Sequence, residues 1–119
     1  PGKTSPPLHA LTTLNAPTWI EASRFLAEKI MMEEKNKISP LEIAFRDITA
    51  QTPSVAKLSV LQKAYDEQLA IFKESPKEAD KLLAIGEKKR NTKLPALEHA
   101  ALTQVCLGIF NLDQSLTRE

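Results

Sequence analysis

Pro17, Pro40, Pro53, Pro76 and Pro95 each head a segment whose apolar residues recur at steps of three and four. Proline lacks the N–H that a first helical turn leaves unused, and its ring holds φ near the helical value. It is therefore accepted at a helix start and rejected from a helix interior. A chain punctuated in this way reads as a succession of α-helices, each with one apolar stripe to bury.

The first of these segments spans about 17 to 36, with Trp19, Ala22, Leu26 and Ile30, joined by Phe25, forming the stripe before "EEKNK" dilutes it. "SPLE" at 39–42 has the residues of a capping box, and Leu41, Ala44, Phe45 and Ile48 follow it to about Ala50. After "TP" at 52–53, Val55, Leu58, Leu61, Tyr65, Leu69 and Phe72 predict a helix of about five turns. "SPKE" from Ser75 repeats the capping pattern ahead of Leu82, Leu83 and Ile85, with Gly86 placed to end that helix in a left-handed conformation. "EKKRNTK" is polar without periodicity and reads as a solvent-facing loop. The last helix starts near Pro95; Leu102, Val105, Ile109, Leu112 and Leu116 place it in the core, and Gly108 is expected to allow a close helix crossing. The two Ser-Pro-x-Glu pieces do not indicate duplication, because the patterns downstream of them differ.

Ahead of Pro17, "PGKTSPP" reads as an extended lead-in or linker over residues 1–7, and "LHALTTLN" can form one or two helical turns. The expectation is an all-α fold: a compact orthogonal or bundle-like array of five or six helices. Residues 8–119 form this single helical domain, read as a C-terminal fragment of a longer protein. At 119 residues such a domain buries roughly 65% of its unfolded surface. A net charge of +1 argues against a dedicated nucleic-acid binder, and no apolar run is long enough to span a bilayer.

Chemical motifs are sparse. His9 and His99 are far apart in the chain, with no cysteine pair or carboxylate at metal-ligand spacing, so no metal is expected. No Cys-x-x-Cys-His occurs for haem attachment, and no glycine-rich phosphate cradle is present. No cofactor is expected. Ser23 with His99, or Cys106 with His9, could only be joined by folding, and no local motif supports either pair, so no catalytic residue is assigned. Cys106 among Leu102, Val105 and Ile109 reads as a buried apolar residue. The run Lys88-Lys89-Arg90 with Lys93 reads as a solvated loop before it reads as a polyanion contact.

Two polar clusters stand out. Asn15, Thr18 and Trp19 mark a helix start, while Asn111, Asp113, Thr117 and Arg118 crowd the end of the last helix. Asn111 falls inside the apolar repeat. Its amide, if buried, demands a partner, and the backbone around Asn15 is the expected one. Arg24, Arg46, Asp113 and Arg118 are the candidates for contact with a partner or substrate.

Taken in order, "PLHALTTLNAPTWIEASRFLAEKI", "AFRDITAQTPS" and "GIFNLDQSLTRE" resemble the C-terminal portion of the planctomycete cytochrome-associated protein family, a family of unknown function common in Planctomycetes and Verrucomicrobia. The resemblance runs from Pro7 to Glu119. Ala16 and Gln114 stand where family members commonly carry acidic residues. The resemblance implies a longer exported parent, periplasmic or cell-surface, often with a cytochrome c-like domain ahead of this one. It transfers no catalytic residues. The expected role is therefore a structural and interaction module that docks against preceding domains of the same polypeptide through Asn15, Trp19, Arg24, Arg46, Asn111, Asp113, Thr117 and Arg118. The alternative is one wall of an extracellular enzyme's substrate site, with polysaccharide as a candidate substrate.

Overall fold

The computed structural model describes residues 17–33 and 38–117, with side chains through Asp113. The described residues form five helices: α1 (Pro17–Met32), α2 (Pro40–Thr49), α3 (Val55–Glu74), α4 (Pro76–Leu83) and α5 (Ala96–Thr117). The all-α reading holds. The short helical stretch expected at 8–15 lies outside the described residues.

Helix α5 is the axis of the bundle, and each of the other four packs directly on it. Its burial is not confined to a stripe. Ala100, Ala101, Leu102, Thr103, Val105, Cys106, Leu107 and Ile109 are all buried, so between Ala100 and Ile109 the helix is covered on nearly every side. A helix that is apolar around its circumference can only be stable enclosed. Two cores meet along it. Ala27, Ile30, Leu41, Phe45 and Leu61 close around Leu102, Val105 and Ile109, while Phe72, Ala79 and Leu83 pack on Ala100 and Ala101.

The helix starts follow the prolines, with caps that differ from the expected boxes. Ser39 Oγ accepts from the Leu41 N–H at 3.2 Å, and Glu42 turns outward to Arg46 instead of back to the cap. At Ser75 the side chain caps nothing; its backbone carbonyl accepts from Glu78 N, and Glu78 pairs with Lys81. The start after Pro53 is capped one residue later than the Thr-Pro pair, by Ser54 Oγ on Lys57 N at 3.0 Å. In both Ser-Pro-x-Glu pieces an exposed lysine or arginine one turn on offers the glutamate a competing charged partner.

Two stripe residues face outward. Phe25 is 41% exposed, and Val55, at the first position of α3, is 88% exposed. The inward face of α1 keeps Ile30 of the expected stripe and the partly buried Leu26, but its other buried residues are Ser23, Arg24 and Ala27, so the face is rotated away from Phe25. Small residues allow α1 to lie close on α5, which a stripe of large side chains would prevent. Gly108 makes no close crossing: it is exposed, and a Cβ there would meet nothing within 4 Å. Ala50, by contrast, takes a left-handed φ of 61° to end α2, with its N–H on Arg46 O at 2.9 Å. The two positions are thus the reverse of what backbone entropy prefers. Gly108→Ala and Ala50→Gly are each expected to stabilise the fold, by about 0.5–1 kcal/mol. Urea unfolding of the two variants checks this, and a loss of stability at either would contradict the local geometry.

Candidate functional site

The main polar construction of the molecule joins α1 to the segment between α4 and α5. Glu21, Arg24 and Glu28 are spaced at three and four residues, so they stand in one row along α1. Each reads the backbone of the loop. Glu21 Oε2 accepts from the N–H groups of Glu87 and Lys88, at 2.9 and 3.1 Å. The Arg24 guanidinium donates to the carbonyls of Ile85 and Lys88, the latter at 2.8 Å. Glu28 Oε1 accepts from Asn91 N at 3.0 Å. Carboxylates thus take the loop's donors and the guanidinium takes its acceptors, in the order −, +, − along the helix.

The expected solvent-facing loop is present, with an order its composition does not announce. Its lysines do face water, but its backbone is tied down. Helix α4 stops at Leu83, short of the expected end, which leaves the Ile85 carbonyl free for Arg24. Gly86 does take positive φ, 106°, two residues past Ala84, and glycine is required there for a second reason. A Cβ at this position would stand 2.5 Å from Glu21 Cδ, so any side chain would displace the carboxylate from its two N–H partners. The basic run is divided by the same architecture. Lys88 Nζ lies 5.6 Å from the Phe25 ring centroid, Arg90 turns in to the carbonyls of Asn91 and Leu94, and Lys89 stays exposed.

Beneath the row lies His99, wholly buried. Its Nε2 is 3.2 Å from the Arg24 carbonyl, so the neutral ring carries its proton there, and Nδ1 is buried with no partner among the described residues. Burial pushes the His99 pKa below the ordinary 6.5. The Arg24 carbonyl and Glu28 oppose that shift, and the charges of Arg90 and Arg24 add to it. A base whose folded pKa is depressed contributes stability that is complete above its unfolded pKa and is lost as pH falls through the folded value, because only the unfolded chain takes up the proton at first. Wild type is therefore expected to lose stability relative to His99→Gln as pH falls below about 6.5, by up to about 1.4 kcal/mol per pH unit until the folded ring protonates. Paired melts from pH 7.5 to 5 check this, since carboxylate titration is common to both proteins; parallel curves would contradict it.

The other reactive groups are equally enclosed. Ser23 Oγ donates to Trp19 O at 2.9 Å and Thr103 Oγ1 to His99 O at 2.7 Å, both as helical back-bonds. Cys106 is fully buried, and burial pushes its thiol up to about 12, with Asp47 adding to the shift. Its expected character as an apolar core residue holds. Among the described residues no three His, Cys, Asp or Glu side chains gather as metal ligands, and no helix is long and apolar enough to cross a membrane.

The sequence candidates are distributed as follows. Trp19 packs on Phe110, with ring centroids 5.5 Å apart and planes at 57°, which ties the start of α1 to the end of α5. Arg24 is buried in the row just described, and Arg46 is exposed and paired with Glu42 at 3.3 Å. Among the described residues Asn111 Oδ1 is buried without a hydrogen-bond partner, and Asp113, two residues on, is engaged. Asn15, Arg118 and the side chain of Thr117 lie outside the described residues. Sequence reading missed Glu21, Glu28 and His99 as a unit; the signal available was the three-four spacing of charges on α1 opposite a non-periodic loop. No family model, curated protein or solved structure matches this chain.

Proposed function

We propose that this domain is a structural and interaction module of a larger exported polypeptide, docking against a preceding domain and performing no chemistry of its own. One observation supports this reading: among the described residues the histidine, the cysteine and the two buried hydroxyls are bound to backbone or enclosed, while large apolar side chains are displayed. Ser23, His99, Thr103 and Cys106 are each fully buried, whereas Phe25, Met32, Val60 and Ile71 are between 41% and 61% exposed on α1 and α3. A surface that spends apolar area in this way gains by being covered.

The test is lysine cross-linking of the native polypeptide followed by mass spectrometry. Links from lysines of this domain to residues ahead of Pro1 are the expected result. A native polypeptide of 13.2 kDa, or a longer one with no such links, would overturn the reading.

A further inference from the structure

Phe25, Lys29 and Met32 lie on the outer face of α1 at i, i+4 and i+7, opposite Lys88 and Lys89 of the loop. Between these walls runs a groove of about 530 Å³, and two of its lining residues are tied to the loop by Asn91, which bonds to Glu28 and, through Nδ2, to Met32 Sδ at 3.7 Å. We infer that this groove binds an acidic peptide segment carrying one apolar anchor side chain. The inference rests on the reading of the domain as an interaction module and names the chemistry of its partner.

Three lysines from two elements line the groove, and the apolar part of its α1 wall is an aromatic ring and a thioether. Phe25 is 41% and Met32 57% exposed, in a chain that otherwise covers its aromatic side chains to a greater extent on α3 and α5. The ring is already polarised: Lys88 Nζ stands 5.6 Å and the Arg24 guanidinium carbon 5.9 Å from its centroid. Carboxylates on a partner would meet Lys29, Lys88 and Lys89, and an apolar side chain between them would cover Phe25 and Met32. Methionine adapts to anchors of different shape, so the anchor is defined by size and polarity more than by outline.

Two acids, Glu28 and Glu33, border the same groove, and they select among anionic partners. A uniformly negative lipid surface meets them together with the lysines. A peptide can set its carboxylates on the lysine side alone. The loop wall is held by Glu21, Arg24 and Glu28, so the lysines on it are presented on a fixed backbone, which lowers the ordering cost of binding.

The probe is a random peptide library displayed on phage and selected on the intact chain, followed by fluorescence anisotropy of synthetic copies of the enriched peptides. Enriched sequences are expected to carry two or more Asp or Glu around one Leu, Phe or Met. Their affinity is expected to fall at least tenfold on Lys88→Glu/Lys89→Glu and on Met32→Ser, with both variants melting within a few degrees of wild type. Raising NaCl from 50 to 500 mM on wild type gives the same readout without a substitution. Enriched peptides lacking acids, equal binding to both variants, insensitivity to salt, or preferential binding to phosphatidylglycerol vesicles over the peptides would each overturn the inference. The outcome separates from that of cross-linking. Peptide selection can succeed where no upstream links form, which leaves the groove in place with a separate chain as partner.

Discussion

Replacing Arg24 by Met is expected to cost about 3 kcal/mol and to release the loop over residues 85–91. The substitution keeps an unbranched stem as far as the position of Nε in a site that is 1% exposed, so the loss falls mainly on the guanidinium. Two carbonyls, of Ile85 and Lys88, lose a charged donor. A hydrogen bond to a charged group contributes about 1.5–3 kcal/mol, and breaking a buried charged network by removing one member costs about 3–5. The lower end applies here, because the loop is at the surface and its orphaned carbonyls regain water once it lifts. Removing Arg24 also places Glu21 and Glu28 on one face with no cation between them, which weakens their hold on Glu87, Lys88 and Asn91. Hydrogen exchange at those three amides should accelerate before the bundle as a whole opens. Arg24→Lys keeps the charge but offers no planar fork for two divergent carbonyls, and is expected to recover less than half of the loss. Unchanged exchange at all three amides in Arg24→Met would show that the loop is held by something other than this row.

The architecture was legible in the sequence where local physics decides it. The prolines set the helix starts within a residue or two, and the apolar repeat of α5 placed it in the core, because both signals act within a turn or two of chain. Three features were not legible, each for a long-range reason. The rotation of α1 depends on how closely it approaches α5, and that is set by Ser23 and Ala27 rather than by Trp19 or Phe25. The loop backbone is ordered by side chains more than 60 residues earlier, so its own composition says nothing of it. Arg24 reads as a candidate for partner or substrate contact because arginine is rarely buried; its burial is stable only because two carbonyls from another element meet it. The candidate groove is therefore visible only in part: Lys88 and Lys89 stand out as a basic run, while Phe25 reads as part of the core stripe.

Ile109→Ala is expected to destabilise the whole domain by about 3–4 kcal/mol, a large share of the roughly 5–15 kcal/mol by which a chain of this size is stable. The residue is 2% exposed and packs in the core formed by α1, α2, α3 and α5, where Leu41, Phe45 and Val105 belong to the same cluster. Its truncation removes three carbons from a site that cannot collapse easily, because α5 is fixed on both sides: one core holds Ile109, and the other holds Ala100 and Ala101 of the same helix against Phe72, Ala79 and Leu83. A central helix cannot shift toward one cavity without opening a gap at the other. The cost should therefore exceed the transfer free energy of the lost methyl and methylene groups by a cavity contribution of about 24 cal/mol per Å³. Val55→Ala is the internal control. That side chain is 88% exposed, and its loss is expected to change stability by less than about 0.5 kcal/mol. Urea unfolding should show a lower midpoint with an unchanged slope for Ile109→Ala, and near coincidence with wild type for Val55→Ala. A cost under 1 kcal/mol at Ile109 would mean that α5 relaxes independently of its neighbours, which an axis shared by four helices cannot do.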